Sequence, residues 1–321
     1  MERMKILIDT DPGVDDALAI LMAHRHADVV GLTVAAGNVG LAHTCANALK
    51  LVETIGAATP VFPGCAGPLL ARLPEDAAFV HGLDGFGDTG YLPSTRAAES
   101  EHAANAILRL SHAHAGQLVI VAMAPLTNLA LALRLDPELP SRVARFVVMG
   151  GAVTGRGNTT VSAEFNIGFD PEAAYVVFSG WPQVELVDWE LTTRHGIAFD
   201  AIARWAAADN PQARFFEAIS RKTRAWSQVR GRPKLALADP LAVAVALDPD
   251  IVVSSTARHV DISVEGVTRG ATVVDWENRS GKPANARIVL DVDQARFEAL
   301  AASALTSPAS ASGRGDRGRQ R

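Results

Sequence analysis

Four carboxylates lie close together near the start of the chain, within Asp9-Thr10-Asp11-Pro12-Gly13-Val14-Asp15-Asp16. Side chains alternate along a strand, so Asp9 and Asp11 share a face at the tip of the first predicted strand. Asp15 and Asp16 open a predicted helix, where the helix dipole favours negative charge. Repulsion among these carboxylates is unfavourable unless a positive charge lies between them, and a hard divalent cation, Ca²⁺ or Mg²⁺, meets that need. One or two aspartates after a strand, by contrast, commonly form only a turn or a helix cap.

The chain around this cluster alternates between short apolar strands and helices. Strands are predicted at residues 5–8, 29–35, 117–123, 146–149 and 184–187, and helices at 15–23, 42–55, 128–134 and 171–179. Continuous apolar strands separated by helices indicate an α/β fold, with a mainly parallel twisted sheet covered by helices on both faces. Ligands bind outside the carboxyl ends of the strands in such sheets. The aspartates are therefore expected at a ligand-binding edge.

Composition and charge indicate a globular protein and argue against several classes of partner. The 321 residues are 48% hydrophobic and carry a net charge of −5, so no broad basic field invites nucleic acid. No apolar run approaches the roughly 20 residues of a membrane span, and the first residues lack a signal-peptide pattern. The two cysteines, Cys45 and Cys65, are compatible with a reduced cytosolic protein, although a disulfide stays open. We expect a cytoplasmic protein that binds neither nucleic acid nor membrane.

The domain organisation is predicted to be simple. Residues 1–305 are interpreted as one domain, and residues 306–321, rich in Ser, Gly and Arg, as a disordered tail. A Gly- and Pro-rich segment at residues 62–93 is long and irregular, and loops of this kind are often functional.

Motifs in the same order over nearly the whole chain, to about residue 300, resemble the inosine-uridine nucleoside hydrolase family. The N-terminal match is DTDPGVDDALA at residues 9–19. Six shorter matches follow it: AGNV at 36–39, HGLDGFG at 81–87, MAPLTN at 123–128, MGG at 149–151, AEFN at 163–166 and ADP at 238–240. A strand-end DxD also occurs in haloacid-dehalogenase-like phosphatases, but the Pro-Gly and the doubled aspartate are more similar to the ribohydrolases.

The resemblance implies a Rossmann-like nucleoside hydrolase core and Ca²⁺-dependent hydrolysis of ribonucleosides to ribose and free base, as in nucleoside salvage. It implies that Asp11 is the general base that activates water. The cation ligands that it implies are three carboxylates and one main-chain carbonyl: Asp11, Asp16, Asp239 and Met123. The residues that it implies hydrogen-bond the sugar are Asp15, Asn38, Asn158, Glu164 and Asn166. A site that pairs sugar hydroxyls should prefer ribose to 2′-deoxyribose, and family members are commonly homodimers or homotetramers.

The chain departs from the family at Ala238. Many members have a histidine there that protonates the leaving base, and another branch has a tryptophan that stacks on purines. Two residues are candidates to serve the base instead: His81, in the HGLDGFG motif, and Trp226, whose ring could stack on a nucleobase. A loop histidine with a backbone partner, and a tryptophan that is merely packed or exposed, are the structural alternatives for these two residues.

Ala238 also leaves two other functions open. One is hydrolysis of a different ribosyl substrate, such as a nucleotide or a modified nucleoside. The other is a catalytically impaired protein that binds ribose or nucleosides without hydrolysing them.

Overall fold

The apolar runs of the sequence form the central sheet of the protein, whose computed structural model describes residues 3–70 and 76–306. The strands within these residues are β1 (Lys5–Thr10), β2 (Asp28–Val34), β3 (Val61–Pro63), β4 (Leu118–Ala122), β5 (Val143–Met149), β6 (Val184–Val187), β7 (Ile197–Ala198), β8 (Lys234–Leu235), β9 (Val252–Arg258), β10 (Val260–Ile262), β11 (Thr272–Val274) and β12 (Ala286–Val292). Eight of them form one sheet, in the order β3-β2-β1-β4-β5-β6-β12-β9. Two small ribbons, β10-β11 and β7-β8, lie outside it.

The sheet is parallel apart from one edge strand. Neighbouring strands run parallel from β3 through to β12, and only β9 pairs antiparallel, with β12. The chain order reverses at β1, which lies between β2 and β4. Crevices at such a reversal are where open α/β sheets bind ligands. The predicted α/β fold with a mainly parallel sheet is confirmed.

Helices cover both faces of this sheet. They are α1 (Val14–His26), α2 (Leu41–Ile55), α3 (Ala78–His81), α4 (Ala103–Ala113), α5 (Thr127–Leu135), α6 (Leu139–Arg142), α7 (Phe165–Phe169), α8 (Pro171–Gly180), α9 (Trp189–Arg194), α10 (Phe199–Ala206), α11 (Pro211–Val229), α12 (Ala238–Leu247) and α13 (Gln294–Thr306). Alternate residues of β1 enter different cores: Ile6 and Ile8 belong to the cluster that contains α1 and α12, and Leu7 to the cluster that contains α4 and α5. This alternation is expected of a strand buried on both sides.

Helix α12 is buried along nearly all of its length, from Ala238 to Ala246. Its sequence, ADPLAVAVAL, is dominated by alanine and valine, and these small side chains allow close packing against α1, one of the helices it contacts. The first turns of the two helices carry Asp239 and the pair Asp15 and Asp16. The packing of two apolar helices therefore brings three acids towards one place.

Two of the sequence predictions concern features other than these helices and strands. The predicted tail at 306–321 lies outside the described residues except for Thr306, the last residue of α13. Across residues 3–70 and 76–306, no helix has both the length and the apolar character of a membrane span.

Candidate active site

Residues at or just beyond the carboxyl ends of five strands line one cavity of about 420 Å³. Asp15 follows β1, Asn38 follows β2, Met123 follows β4, Met149 ends β5 and Trp189 follows β6. The cavity thus lies at the carboxyl ends of the parallel strands, the edge at which the aspartates were expected. Glu164, Asn166, Asn158, His81, Trp226 and Asp239 also line it.

Three carboxylates come close enough to share one cation. One oxygen each of Asp15, Asp16 and Asp239 lies within 4.8 Å of the others. The family resemblance implied that Asp11 belongs to this group and that Asp15 hydrogen-bonds the sugar. The structure instead brings Asp15 into the group itself. Burial and the neighbouring charges of Asp15, Asp16 and Asp11 raise the pKa of Asp239 well above its usual value. Burial likewise raises the pKa of Asp15 to about 6.

Asp11 lies beside this group and is only 1% exposed. Its Oδ2 accepts a hydrogen bond of 2.6 Å from the backbone N–H of Asn38. Its Oδ1 is buried and has no hydrogen-bond partner among the described residues. Burial, followed by the charge of Asp16, raises its pKa well above the usual value. An unpaired buried carboxylate oxygen is costly, so Asp11 and the three neighbouring acids fit a hard divalent cation and its water.

Asn38 orients two of the acids. Its Nδ2 donates to the backbone oxygen of Asp11 and to Oδ2 of Asp16, both at 3.1 Å. Asp16 is held further by Thr10 Oγ1 at 2.5 Å and by the N–H of Gly13 at 2.9 Å. Both Asn38 amide hydrogens are therefore engaged, and its Oδ1 is the atom left to face a ligand. The resemblance implied only that Asn38 contacts the sugar. Its second role, orienting Asp11 and Asp16, arises because β1 and β2 are neighbours in the sheet.

Gly37 makes the close approach of Asp11 possible, and replacing it by alanine provides a test. A Cβ at this position would lie 2.1 Å from Oδ2 of Asp11, so Gly37→Ala must displace that carboxylate. If Asp11 acts on the substrate, we expect kcat to fall by about 10²-fold, the cost of misplacing such a group by about 1 Å, with the fold retained but its thermal stability lowered by overpacking. Gly40→Ala is the matched control, because a Cβ there meets no described atom within 4 Å. Equal activity of the two variants would contradict this account of Gly37.

The carbonyl of Met123 is oriented by Asn166. The Nδ2 of Asn166 donates to the backbone oxygens of Met123, at 3.0 Å, and Met149, at 3.3 Å. Oδ1 of Asn166 thus remains for a ligand. Glu164 holds the start of the same helix, since its carboxylate accepts from the N–H groups of Gly151, Asn166 and Ile167. Burial raises the pKa of Glu164 to about 7.

Asp9 supports the cluster from behind. It is fully buried, and its Oδ1 accepts from Thr33 Oγ1 at 2.7 Å and from Asn128 Nδ2 at 2.9 Å. Asn128 also accepts from the N–H of Cys65, so it ties β1 to the loop after β3. Sequence analysis did not assign Thr33 or Asn128 a role, although Asn128 ends the MAPLTN motif.

His81 ends α3 near Asp16 and is 8% exposed. Its Nδ1 accepts a hydrogen bond of 3.0 Å from the N–H of Val14, which assigns the ring proton to Nε2. Burial lowers the pKa of this imidazole to about 4. At neutral pH His81 is therefore an uncharged hydrogen-bond donor rather than an imidazolium acid. The backbone partner is the one that the structural interpretation expected, and the role of His81 toward the base stays a prediction.

Aromatic and basic side chains form the other end of the cavity. The ring of Trp226 lies 5.9 Å from that of Phe79. The guanidinium groups of Arg230 and Arg232 lie 4.1 and 4.8 Å from the Trp226 ring centre, and Arg232 also lies 6.0 Å from that of Trp189. Ala238 lines this region without offering a proton donor. Neither Phe79 nor Trp189 was predicted from the sequence, because nothing local to either residue signals the cavity.

The comparisons with known proteins agree with this geometry. The family model described as inosine-uridine preferring nucleoside hydrolase matches residues 6–299. The chain belongs to this family. It is 35% identical over 304 residues to the pyrimidine-specific ribonucleoside hydrolase RihB of Escherichia coli K12, which covers 94% of this chain and 96% of that protein.

Solved structures of nucleoside hydrolases share the fold. A plant nucleoside hydrolase superposes with a TM-score of 0.88 at 30% identity, covering 95% of this chain and 100% of the plant chain. A purine-preferring ribonucleoside hydrolase from Gardnerella vaginalis gives 0.87 at 30% identity, covering 94% and 98%. The chain is accordingly a nucleoside hydrolase, an enzyme that cleaves N-glycosidic bonds of ribonucleosides. The relatives named here differ in the base they prefer, so membership of the family does not assign the base.

Proposed function

We propose that this enzyme hydrolyses ribonucleosides in a Ca²⁺-dependent reaction in which Asp11 accepts a proton from the attacking water. The observation that carries the proposal is the buried, unpaired Oδ1 of Asp11 beside Asp15, Asp16 and Asp239. A carboxylate that stays ionised beside a bound cation can accept the proton that the attacking water loses. The backbone N–H of Asn38 holds Oδ2, which leaves Oδ1 to meet the water.

The acids and one carbonyl would hold the cation. Asp11, Asp16, Asp239 and the Met123 carbonyl are the proposed ligands, and Asp15 lies close enough to join them. A cation bound there would supply positive charge that lowers the pKa of water and attracts the 2′- and 3′-hydroxyls of ribose. Asn38 and Asn166 keep the protein ligands oriented through the hydrogen bonds described above.

The sugar would be fixed by oxygen and amide groups around the cavity. Asn38 and Asn166 each present Oδ1 to a hydroxyl, and Asp15, Asn158 and Glu164 line the same space. Such fixation turns the attack of water into an oriented, effectively unimolecular step. The surrounding carboxylates also favour the positive charge that develops on the sugar carbon as the bond to the base breaks.

The base would lie between His81 and the aromatic end of the cavity. His81 would donate its Nε2–H to the departing base, and Trp226 would stack on the base ring. Because His81 is uncharged, this donation stabilises negative charge on the leaving base by hydrogen bonding. That role replaces the histidine which the family often has at the position of Ala238.

A substrate panel tests the proposal. Release of reducing sugar would be measured from inosine, uridine, cytidine and adenosine and from their 2′-deoxy counterparts, with Ca²⁺ present. We expect turnover of at least one ribonucleoside and a preference of about 10⁴-fold over its 2′-deoxy form, because the deoxy sugar leaves buried polar groups unpaired. Absence of turnover on every ribonucleoside would overturn the proposal. Faster turnover of nucleotides or modified nucleosides than of these ribonucleosides would favour the alternative function, hydrolysis of a different ribosyl substrate.

We also propose a cytoplasmic homodimer or homotetramer that acts in nucleoside salvage. Support comes from the family resemblance and from the low cysteine content of the chain. Light scattering coupled to size-exclusion chromatography would measure the mass, and a monomer would contradict this part.

A further inference from the structure

The loop between β5 and Asn158 is held by carboxylates that receive its backbone N–H groups. Gly151 donates to Glu164 at 2.9 Å, and Val153 donates to Asp188 at 3.1 Å. Glu190 accepts a hydrogen bond from the N–H of Thr154 at 3.0 Å and another from the N–H of Arg156 at 3.1 Å. It also accepts from the hydroxyl of Thr154 at 2.7 Å. Three acids therefore fix the path of the chain immediately before Asn158.

Glu190 belongs to the first turn of α9, a turn that also reaches the cavity. Asp188 caps this helix by accepting from the N–H of Leu191 at 2.8 Å. Trp189, between the two acids, lines the cavity and donates its N–H to the carbonyl of Gly151 at 2.9 Å. Glu190 itself is 8% exposed. Loop and helix are thus joined on both sides of Trp189.

We propose that Glu190 is a positioning residue for the sugar end of the cavity. Its carboxylate fixes the turn from Thr154 to Arg156 and so sets the place of Asn158. The proposal rests on the proposed function in one respect, the contact of Asn158 with the sugar. Both oxygens of Glu190 accept hydrogen bonds in this arrangement. An amide in its place would turn one acceptor into a donor that faces another N–H or hydroxyl.

Glu190→Gln, alone and combined with Asn158→Ala, tests the proposal on the full-length enzyme with Ca²⁺. We expect KM for the best ribonucleoside to rise about tenfold in the single Gln variant while kcat changes less than about threefold. In the Asn158→Ala background the same substitution should raise KM by only about twofold, because the residue through which it acts is gone. Additive effects, or an unchanged KM, would overturn the proposal.

Glu185→Gln is the matched control. Glu185 is a partly buried acid on β6, paired with Arg145 and Arg287 rather than with the loop. Its replacement should lower the free energy of unfolding without changing KM, and its effects should add to those of Asn158→Ala. A rise in KM equal to that of Glu190→Gln would show a general effect of destabilisation and would contradict the specific role of Glu190.

Hydrogen exchange of residues 151–160 measures the loop independently of catalysis. We expect faster exchange there in Glu190→Gln and parent-like exchange in Glu185→Gln. If no ribonucleoside is hydrolysed but this difference is found, the proposed function fails while the positioning of the loop stands. Parent-like exchange in Glu190→Gln would overturn the positioning proposal whatever the substrate.

Discussion

Asp11→Asn is expected to lower kcat by about 10²- to 10⁴-fold, the range that a general base contributes. Asparagine has nearly the same shape, and its Oδ1 can still accept from the N–H of Asn38, as Oδ2 of Asp11 does at 2.6 Å. What it lacks is an oxygen able to take a proton from water. The substitution also removes one of several mutually repelling buried charges. The free energy of unfolding of the metal-free protein should therefore rise or stay the same while activity is lost.

Two measurements separate catalysis from folding in this variant. Reducing-sugar release gives kcat, and urea unfolding in the absence of divalent cations gives stability. Asp9→Asn is the matched control, since Asp9 is equally buried and also has one unpaired oxygen, Oδ2, but its Oδ1 is bonded to Thr33 and Asn128. Its loss of kcat should be much smaller than that of Asp11→Asn. A kcat within tenfold of the parent for Asp11→Asn would remove Asp11 as the base.

Removal of divalent cations by a chelator is expected to abolish turnover, and added Ca²⁺ should restore it. Asp239→Asn should raise the Ca²⁺ concentration for half-maximal activity by at least about 100-fold, because even the loss of an outer-shell partner costs up to that much affinity. The physical reason is the loss of one of three carboxylates whose oxygens lie within 4.8 Å of one another. Calorimetric titration of the apoprotein with Ca²⁺ would give the affinity directly.

Asp248→Asn provides the control from the same helix. Asp248 flanks the other end of α12 and pairs with Arg296, so its substitution should leave the Ca²⁺ requirement unchanged. Activity that survives exhaustive chelation would exclude a metal role for the whole cluster. Asp15→Asn then decides between the two roles of Asp15. A weaker Ca²⁺ affinity would place it on the cation, and a higher KM with unchanged Ca²⁺ affinity would place it on the sugar.

The sequence predicted the strand-end acids because they are encoded locally. Asp11 and Asp16 belong to one short segment, and the apolar alternation before it identifies the strand on which it depends. Strands β9 and β12 were not predicted, because the pairing of β12 with β6 and with the edge strand β9 depends on contacts far along the chain. Trp189 in α9 and Phe79 in α3 reach the cavity through the packing of elements distant in sequence, which the local sequence does not reveal. The positioning role of Glu190 follows only from its partners, the backbone N–H groups of Thr154 and Arg156. Bonds to backbone groups leave no pattern of side chains in the sequence, so this role could not be predicted.

The packing of α1 against α12 affects how the metal preference of the enzyme can evolve. Their packing is apolar, yet it sets the spacing of Asp15 and Asp16 relative to Asp239. A larger side chain in place of a buried alanine of α12 would shift the acids without altering any of them. Ion preference depends on cavity size and on the rigidity of the ligands. Substitutions at residues that do not contact the metal can therefore change which metal the enzyme prefers.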